Sequence, residues 1–267
     1  MKIDLHIHTC YSDGACTPEE IVCKYRKENY DFIAITDHDT VDGVQEAIAA
    51  GDAAGLAVVP GIELSTADRD GVEMHILGYS IDPKNAALSA KLKELRQARR
   101  LRNELLLAYL AEQGYSLCYE DLLVGKCGDY IGKPDFGRAM VRKGYLQTPQ
   151  EIFKAGMYLE TPEAKSIKKK KMDTQEAIAL ISAAGGKAVL AHPIQIKAFG
   201  VPGGEEYFAR LRSLLLRLCK EGLKGIEAYH PDHNTVQSAQ FSVLAEEYGL
   251  FVTRGSDFHG DDFEKRK

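Results

Sequence analysis

Four side chains that commonly bind metal ions lie near the start of the chain, at Asp4, His6, His8 and Asp13. Successive side chains of a β-strand point to opposite faces, so a strand here would place Asp4, His6 and His8 on one face. Two imidazole rings at this spacing can bind one Zn²⁺, Mn²⁺ or Fe²⁺ ion, and the neighbouring carboxylate can act as a ligand or orient a histidine. The alternative is an exposed strand with two solvated histidines, and this motif alone leaves both interpretations open.

The positions of the later histidines favour metal binding. Each of the eight lies on or directly after a predicted strand, and none lies on a predicted helix: His6, His8, His38, His75, His192, His230, His233 and His259. Histidines scattered over a protein surface would not show this distribution. In an α/β barrel, residues that follow the apolar part of a strand lie at its C-terminal mouth, so we expect these side chains to meet there.

The elements that must position these residues alternate between strands and helices. Thr17, Pro18 and Glu20 have the pattern of a capping box at a helix start, and the unbroken apolar run 32–35 is typical of a strand buried on both faces. Seven strands, separated mostly by helices, indicate a largely parallel α/β barrel. The alternation is interrupted once, because no helix is predicted between the strands at 56–64 and 72–79.

The middle of the chain has a different pattern, which indicates an insertion. A long helical run rich in arginine begins near residue 86, and shorter helices follow until a run of lysines at 168–171. We predict a mainly helical insertion at 83–171 that forms a lid over the substrate, between barrel segments 1–82 and 172–267. The lysine run is interpreted as a solvated face or a mobile loop, in preference to a phosphate site.

Composition limits the class of protein. At 267 residues and 45% hydrophobic, the chain can bury a large core, and the composition favours a folded chain over a disordered one. The net charge of −5 argues against a protein that coats nucleic acid, although local basic patches are compatible with it. The chain starts without the basic and apolar pattern of a secretory signal, and no apolar run approaches the roughly 18 residues that cross a membrane. We therefore predict a cytoplasmic protein.

The cysteines do not follow a metal-binding or disulfide pattern. There are six of them, with no CxxC pair and no regular spacing: Cys10, Cys16, Cys23, Cys118, Cys127 and Cys219. A chain of this length does not need disulfides to stabilise its core. We predict that all of them are reduced thiols.

Nine nitrogen and carboxylate ligands can be drawn from the strand ends. They are His6, His8, Asp13, His38, Glu63, His75, His192, Asp257 and His259. One four-coordinate ion cannot use so many ligands, and the set suits two or three divalent ions close together. Metal clusters of this kind suit phosphoryl chemistry, since the ions bind phosphate oxygens and generate hydroxide near neutral pH. Asp4, Asp37 and Asp39 are expected to orient ligands or cap helices.

The motifs DxHxH, TDH, a glutamate at a strand end, AHP and GSDxH occur in this order. In both halves of the chain they resemble the polymerase and histidinol phosphatase (PHP) family of metal-dependent phosphoesterases. The resemblance implies a distorted (β/α)7 barrel with a helical insertion and a trinuclear site, usually of manganese, iron or zinc. It implies one ion on His6, His8, Glu63 and Asp257, a second on Asp13, His38 and His259, and a third on Glu63, His75 and His192. Asp13 stands where some members have histidine, which leaves the second site open.

The basic insertion is similar to that of the family branch that acts on nucleoside 3′,5′-bisphosphates and on the 5′ ends of short RNAs. Arg99 and Arg102 lie three residues apart on one helix face, and Lys133 and Arg138 flank the next segment. A lid that carries these side chains over a metal-bound phosphate would bind a second phosphate. The alternative is that these charges only keep a helix soluble.

Two histidines remain beyond the ligand sets. His230 and His233 are assigned to phosphate binding or to proton donation to the leaving oxygen, with His233 preferred. Asp13 and His233 are thus the candidate catalytic residues. The alternative is that one of the two histidines caps the next helix or packs against Tyr229.

Together these observations predict a phosphoesterase in which a hydroxide that bridges two ions attacks phosphorus. The substrate is expected to be a small phosphorylated molecule, a nucleotide or a short oligonucleotide, and no obligate protein partner is evident. Three alternatives stay open: a phosphatase of the histidinol phosphate type, a metal-dependent amidohydrolase, and a metal-binding accessory domain without catalysis.

Overall fold

The structure, a computed structural model, describes residues 1–262 and is built around one curved sheet. The strands are β1 (Ile3–Ile7), β2 (Phe32–Ile35), β3 (Ala57–Ala67), β4 (Glu73–Tyr79), β5 (Met172–Asp173), β6 (Lys187–Leu190), β7 (Gly225–Tyr229) and β8 (Phe251–Arg254). Their order in the sheet is β1-β2-β3-β4-β6-β7-β8, and the two-residue strand β5 pairs with β3.

The sheet curves until its two edges nearly meet. After β8, Phe258 forms a parallel bridge with Ile7 of β1, and the backbone N–H of His8 donates to the carbonyl of Phe258 at 2.9 Å. These contacts close most of the gap between the first and last strands. The prediction of a distorted barrel of seven principal strands is confirmed, and β5 is a short addition to it.

Helices surround the barrel and make up most of the insertion. They are α1 (Pro18–Lys27), α2 (Val44–Ala54), α3 (Ala86–Glu112), α4 (Tyr119–Leu123), α5 (Lys133–Arg142), α6 (Pro162–Ser166), α7 (Thr174–Ala183), α8 (Glu205–Glu221) and α9 (Thr235–Glu247), with 3₁₀ turns at Pro149–Phe153, Tyr158–Glu160, Pro193–Gln195 and Lys197–Phe199. The predicted capping box of α1 is present, since Thr17 Oγ1 accepts from the N–H of Glu20 and the Glu20 carboxylate accepts from the N–H of Thr17. None of the helices within residues 1–262 is long and apolar enough to cross a membrane.

Strand β4 runs against its neighbours, where the prediction of a largely parallel sheet was interrupted. It is antiparallel to both β3 and β6, whereas β1, β2 and β3 are parallel to one another, as are β6, β7 and β8. A tight turn causes the reversal, because the Asp68 carboxylate accepts from the backbone N–H groups of Asp70 and Val72 at 2.9 Å. The start of β4 therefore lies at the edge where the parallel strands end, and this brings His75 to that edge.

Helix α3 belongs to two of the apolar clusters of the interior. Its first half packs against the barrel through Leu88, Leu92 and Leu95, while its second half packs with the insertion through residues such as Leu106 and Leu110. Full burial of a leucine side chain stabilises a fold by about 1.5–3 kcal/mol. Helix α3 thus anchors the insertion over the mouth of the barrel.

The prediction that every cysteine is a reduced thiol is wrong for two of them. Cys10, in the loop after β1, forms a disulfide with Cys127 of the insertion, 117 residues further along the chain. Cys16, Cys23, Cys118 and Cys219 are thiols, as predicted. The disulfide has no local sequence pattern because the docking of the insertion on the barrel brings its two cysteines together.

Candidate metal centre and substrate cavity

The predicted ligands converge at the C-terminal mouth of the barrel. His6 lies in β1 and is followed by His8 and Asp13; His38 follows β2; Glu63 lies in β3 and His75 in β4; His192 follows β6; Asp257 and His259 follow β8. In three groups the ligand atoms lie within 4.8 Å of one another: His8, Asp13, His38 and His259; His6, His8, Glu63 and Asp257; His38, Glu63 and His75. The second of these groups equals the set implied for the first ion. The first group adds His8 to the set implied for the second ion. The third group has His38 where the set implied for the third ion has His192.

Glu63 lies at the centre of the cluster and is fully buried. Its Oε1 lies 2.8 Å from His75 Nδ1 and 2.8 Å from His192 Nε2. Its Oε2 lies 2.9 Å from His38 Nδ1 and 3.2 Å from His6 Nε2. The same oxygen lies 3.3 Å from His8 Nε2. A carboxylate in contact with five imidazoles could hold more than one metal ion.

Unpaired buried atoms test whether this cluster fits metal ions. Five of them point into it: His6 Nε2, His8 Nε2, His38 Nδ1, Asp13 Oδ1 and Glu63 Oε2. They lie close to oppositely charged groups of the cluster, but within the described chain none of them has a partner at hydrogen-bond geometry. An unpaired buried polar atom costs about 1–3 kcal/mol, so five at one place indicate a missing partner. Imidazole and carboxylate ligands suit divalent transition metals, and the cluster is consistent with several metal sites.

Two carboxylates and one imidazole of the cluster have the protonation states of metal ligands, whereas the neighbouring carboxylates outweigh burial and raise the pKa of His6, His8 and His192. Burial raises the pKa of Glu63, but His38, His6 and His75 outweigh this effect and hold it well below its usual range. The pKa of Asp257 is likewise lowered, because His6 and His259 outweigh the effect of burial. Burial lowers the pKa of His75 to about 4, so this ring is neutral and keeps a lone pair at physiological pH. Ionised carboxylates and a neutral imidazole are the protonation states that metal ligands require.

Aspartates behind the ligands orient them, as predicted. Asp37 accepts hydrogen bonds of 2.7 Å from the backbone N–H and the hydroxyl of Thr9, and another from the hydroxyl of Ser12. These contacts fix the loop that joins His8 to Asp13. Asp4 accepts from the backbone N–H of His6 at 3.2 Å and of Ser256 at 2.9 Å, and so links β1 to the segment after β8.

A cavity of about 810 Å³ opens above the cluster, between barrel and insertion. Six predicted ligands line it, together with the insertion residues Arg99, Arg102, Tyr130 and Lys133 and the lysines at positions 165, 168, 169, 171 and 197. The cavity therefore has carboxylates and imidazoles on its floor and cations on its walls. This distribution suits an anionic ligand that reaches from bound metal ions to the insertion.

Arg99 and Arg102 are buried in the wall of this cavity. The Arg99 guanidinium pairs with the Asp39 carboxylate and lies 3.9 Å from the ring centroid of Tyr130. Within residues 1–262, Nε of Arg99 and both Nε and one terminal nitrogen of Arg102 are buried without a hydrogen-bond partner. Buried cations with unpaired N–H groups indicate a site for an anion.

The lysine run is only in part the solvated face that the sequence was interpreted to show, since Lys168 and Lys170 are exposed but Lys169 and Lys171 are not. Lys169 Nζ lies 2.8 Å from Asp39 Oδ2, and its side chain is only 7% exposed. Lys168 and Lys171 also line the cavity. Strand β5 follows this run directly and pairs with β3, which draws the lysines across the mouth of the barrel. Burial and the nearby Arg99 lower the pKa of Lys169 to about 8.

The other two predicted substrate cations have different surroundings. Lys133 lines the cavity, 3.6 Å from Glu160. Arg138 is not among the described residues that line it; its guanidinium donates to the carbonyl of Asp13 at 2.6 Å and to that of His259 at 3.0 Å. Arg138 thus connects α5 to two segments that carry metal ligands, and the geometry does not favour a contact with substrate.

His230 and His233 have different surroundings in the structure. His230 Nε2 lies 3.3 Å from Asp257 Oδ2, next to the ligand cluster. His233 Nδ1 donates to the carbonyl of Ala228 at 3.0 Å, and its ring packs 4.6 Å from that of Phe241. Burial lowers the pKa of His233 to about 4, so the ring is neutral near pH 7. The geometry favours His230 over His233 for a role at the metal centre.

Sequence reasoning missed Tyr130 and Glu227. Tyr130 stacks under Arg99 and had no local signal. Glu227 is fully buried inside β7, where its Oε1 lies 3.1 Å from His6 Nδ1. Its position resembles that of Glu63, since both glutamates interrupt an apolar strand, and a buried charge in such a strand is a usable signal.

This geometry agrees with a match to a known family. The PHP domain model matches residues 4–164, more than half of the chain. The chain belongs to the PHP domain family. As a member, it is a metal-dependent phosphoesterase, and the buried clusters are the expected place for its metal ions.

Three characterised relatives match this PHP chain over nearly its whole length. The 3′,5′-nucleoside bisphosphate phosphatase of Chromobacterium violaceum is 32% identical and covers 97% of this chain and 87% of its own. The phosphoribosyl 1,2-cyclic phosphate 1,2-diphosphodiesterase of Eggerthella lenta is 31% identical, and the match covers 96% of this chain and 94% of the relative. The 5′-3′ exoribonuclease of Haemophilus influenzae is 28% identical, and the match covers 97% of this chain and 90% of the relative.

A solved structure supports the same fold. The chain superimposes with a TM-score of 0.87 on an amidohydrolase from Chromobacterium violaceum that contains bound sulfate and no metal. The two are 30% identical, and the match covers 98% of this chain and 88% of the other. The match therefore includes residues 83–171 as well as the strands of the barrel.

Proposed function

We propose that this protein removes a phosphate from a small nucleotide that carries a second phosphate, and that its substrate is a nucleoside 3′,5′-bisphosphate, cleaved at the 3′-phosphate. The observation that carries this proposal is the pair Arg99 and Arg102. Both are buried, both have unpaired N–H groups, and both face the metal ligands across one cavity. A substrate with two phosphates can place one phosphate at the metal ligands and the other at the two arginines.

The nine ligands would hold two or three divalent ions, manganese, iron or zinc. When bound, such ions activate water and neutralise the charge on phosphate oxygens. The chain's own residues bind and orient the rest of the substrate. Arg99, held by Asp39 and Tyr130, has a fixed orientation toward the second phosphate. Arg102 and Lys169 add positive charge beside it. His230 Nδ1 accepts the backbone N–H of Asp232, so this ring holds its proton at Nε2, 3.3 Å from Asp257, and we assign it to proton donation next to the metal centre.

The relatives support the substrate class. The names of all three refer to phosphate esters of a nucleoside, a phosphoribosyl group or RNA. A phosphorylated sugar is common to them. The amidohydrolase and accessory-domain alternatives do not explain why cations line the cavity wall.

A second candidate is cleavage at the 5′ end of short RNA. Lysines at 165, 168, 171 and 197 continue the positive lining from the buried arginines toward the cavity rim. Such a series of cations can follow a polynucleotide backbone. The rim lysines favour this candidate, whereas the buried arginines favour the small bisphosphate.

The test is release of phosphate from three substrates after loading with Mn²⁺: adenosine 3′,5′-bisphosphate, histidinol phosphate and a 5′-phosphorylated oligonucleotide. His38→Ala, which removes a cluster ligand, is the control for contaminating activity. We expect release from the bisphosphate that is lost in the variant. Activity on the oligonucleotide alone would identify a 5′ exonuclease, and activity on histidinol phosphate alone would refute a nucleotide substrate.

A further inference from the structure

Glu227 occupies an unusual position behind the metal centre. It is fully buried in the barrel interior, on β7. Its Oε1 lies 3.1 Å from Nδ1 of His6, and its Oε2 accepts the backbone N–H of His192 at 2.7 Å. One carboxylate therefore contacts two metal-ligand candidates that come from opposite halves of the chain.

The contact with His6 determines which ring nitrogen is free. Nε2 of His6 faces Glu63 at 3.2 Å and Asp257 at 3.4 Å, within the group that would hold the first ion. A carboxylate can only accept, so the Nδ1 beside Glu227 must carry a proton. A metal ion at Nε2 would displace any proton there, and the ring would then keep its one proton on Nδ1, beside Glu227, and offer the lone pair of Nε2.

The contact with His192 holds a rare backbone conformation. His192 has φ 22° and ψ 61°, in the left-handed half of conformational space that residues other than glycine seldom adopt. This conformation turns its ring toward Glu63, with Nε2 2.8 Å from Oε1. Strained residues persist where their surroundings hold them, and Glu227 supplies the acceptor for the buried N–H at this turn.

The space around Glu227 is closed by Gly255. A Cβ atom added at this glycine would lie 2.1 Å from Cβ of His6 and 2.7 Å from Oε1 of Glu227. The backbone after β8 therefore packs directly on the pair formed by His6 and Glu227. A shorter side chain at position 227 would not reach His6 and the N–H of His192, and it would leave a gap that the surrounding backbone encloses.

We propose that Glu227 is a positioning residue that keeps the proton of His6 on Nδ1 and fixes the backbone of His192. Through these two contacts it prepares ligands for the first and the third ion together. The inference rests on the metal centre alone, so it holds whichever phosphate ester is the substrate.

The decisive variant is Glu227→Gln, which preserves size and shape. The amide oxygen can still accept from the N–H of His192, but the NH₂ group then faces Nδ1 of His6 and requires it to accept. The His6 proton moves to Nε2 and blocks the ligand atom. We expect metal affinity to fall by about 10–100-fold, the effect typical of losing such a partner.

Affinity is measured by equilibrium dialysis against Mn²⁺ and Co²⁺, with elemental analysis and the visible spectrum of bound Co²⁺. Circular dichroism of the metal-free proteins checks folding. Glu176 of α7 is an exposed glutamate that pairs with Lys91 of α3, so Glu176→Gln is the matched control and should bind metal like wild type. Wild-type metal affinity in a folded Glu227→Gln protein would overturn the proposal.

A second measurement needs no substitution. In the Zn²⁺-loaded wild-type protein, long-range ¹H–¹⁵N correlation spectra distinguish the two ring nitrogens of each histidine. We expect His6 to carry its proton on Nδ1 and to bind zinc through Nε2. A proton on Nε2 of His6, or zinc on Nδ1, would contradict the role of Glu227 even if the variant did not fold.

Discussion

Lys169 Nζ lies 2.8 Å from Oδ2 of Asp39, although 130 residues separate them. Asp39 directly follows the metal-ligand candidate His38, and its carboxylate also pairs with Arg99. One buried carboxylate thus fixes two cations at the side of the metal centre. The single charge of Asp39 offsets only one of these two buried positive charges, so an anion that binds beside them would offset the other.

We predict that Lys169→Met weakens binding of the bisphosphate and leaves the chemical step nearly intact. A hydrogen bond to a charged group contributes about 1.5–3 kcal/mol, which corresponds to a rise in KM of about 10–100-fold. Lys170→Met is the control, because Lys170 belongs to the same run but is exposed. Steady-state kinetics with adenosine 3′,5′-bisphosphate measure both constants. An equal rise in KM for the two variants would show that only general positive charge matters.

The same lysine predicts a pH dependence of binding. Burial and Arg99 lower its pKa to about 8, although Asp39 opposes this change. The ammonium group is charged below that pH and neutral above it, so KM should rise as pH increases through about 8. Arg99 and Arg102, the other cations beside it, stay charged in this range. The rise should be absent from the KM profile of Lys169→Met; if it persists there, another group is responsible.

Arg102→Met should separate activity from stability. The arginine has two buried nitrogens without a hydrogen-bond partner within residues 1–262, so replacing it with an apolar side chain removes an uncompensated charge. We expect the free energy of unfolding to stay equal or to rise, while KM for the bisphosphate increases by at least about 10-fold. For a substrate with one phosphate, such as 3′-AMP, KM should change little.

Urea unfolding and steady-state kinetics measure the two effects of Arg102→Met. Arg100→Met is the matched control, because Arg100 lies on the same helix with 65% of its side chain exposed. A large fall in stability with Arg102→Met would mean that the arginine is a structural residue.

Metal removal should lower the thermal stability of the protein. The buried atoms of the cluster lack partners when no ion is bound, and an ion that binds only the folded state stabilises it according to its concentration and affinity. We expect EDTA to lower the midpoint of thermal unfolding and Mn²⁺ to restore it. Glu63→Gln removes the central carboxylate and should abolish most of this shift. A wild-type midpoint that does not respond to EDTA would argue against metal ions in the cluster.

Much of the site was predictable because its signals are local. His6 and His8 show the alternation of a strand, His192 and Asp257 follow apolar strands, and Glu63 interrupts one. Parallel strands bring their ends to one edge, so strand order alone predicts that these residues meet. The reversal of β4 still brought His75 to that edge, since it lies near the start of an antiparallel strand.

The features that sequence analysis did not predict depend on how the insertion docks on the barrel. No local sequence pattern indicates that docking. The burial of Lys169 follows from the pairing of β5 with β3, and a run of lysines is usually exposed. Arg138 contacts backbone carbonyls instead of the cavity because α5 packs beside the loop that carries Asp13. The disulfide of Cys10 with Cys127 arises at the same interface.

That disulfide leads to a prediction about stability. It closes a loop in which its two cysteines are 117 residues apart, and it restricts the unfolded chain. A crosslink of this span contributes about 2–5 kcal/mol. We expect urea unfolding of the Cys10→Ser, Cys127→Ser double variant to show a loss of this size, and the same loss in the wild type after reduction by a dithiol. Cys23→Ser, which removes an exposed thiol, is the control.

Activity should respond much less than stability to loss of the disulfide. Lys126 donates to the carbonyl of Ser12 and pairs with Asp135, while Arg138 holds the carbonyl of Asp13, so the insertion stays docked next to the metal loop. We therefore expect kcat and KM of the double variant to remain within about threefold of wild type at temperatures where it is folded, because hydrogen bonds to charged groups of about 1.5–3 kcal/mol each remain. A specific rise in KM with unchanged folding would show instead that the disulfide itself sets the position of the arginines over the substrate.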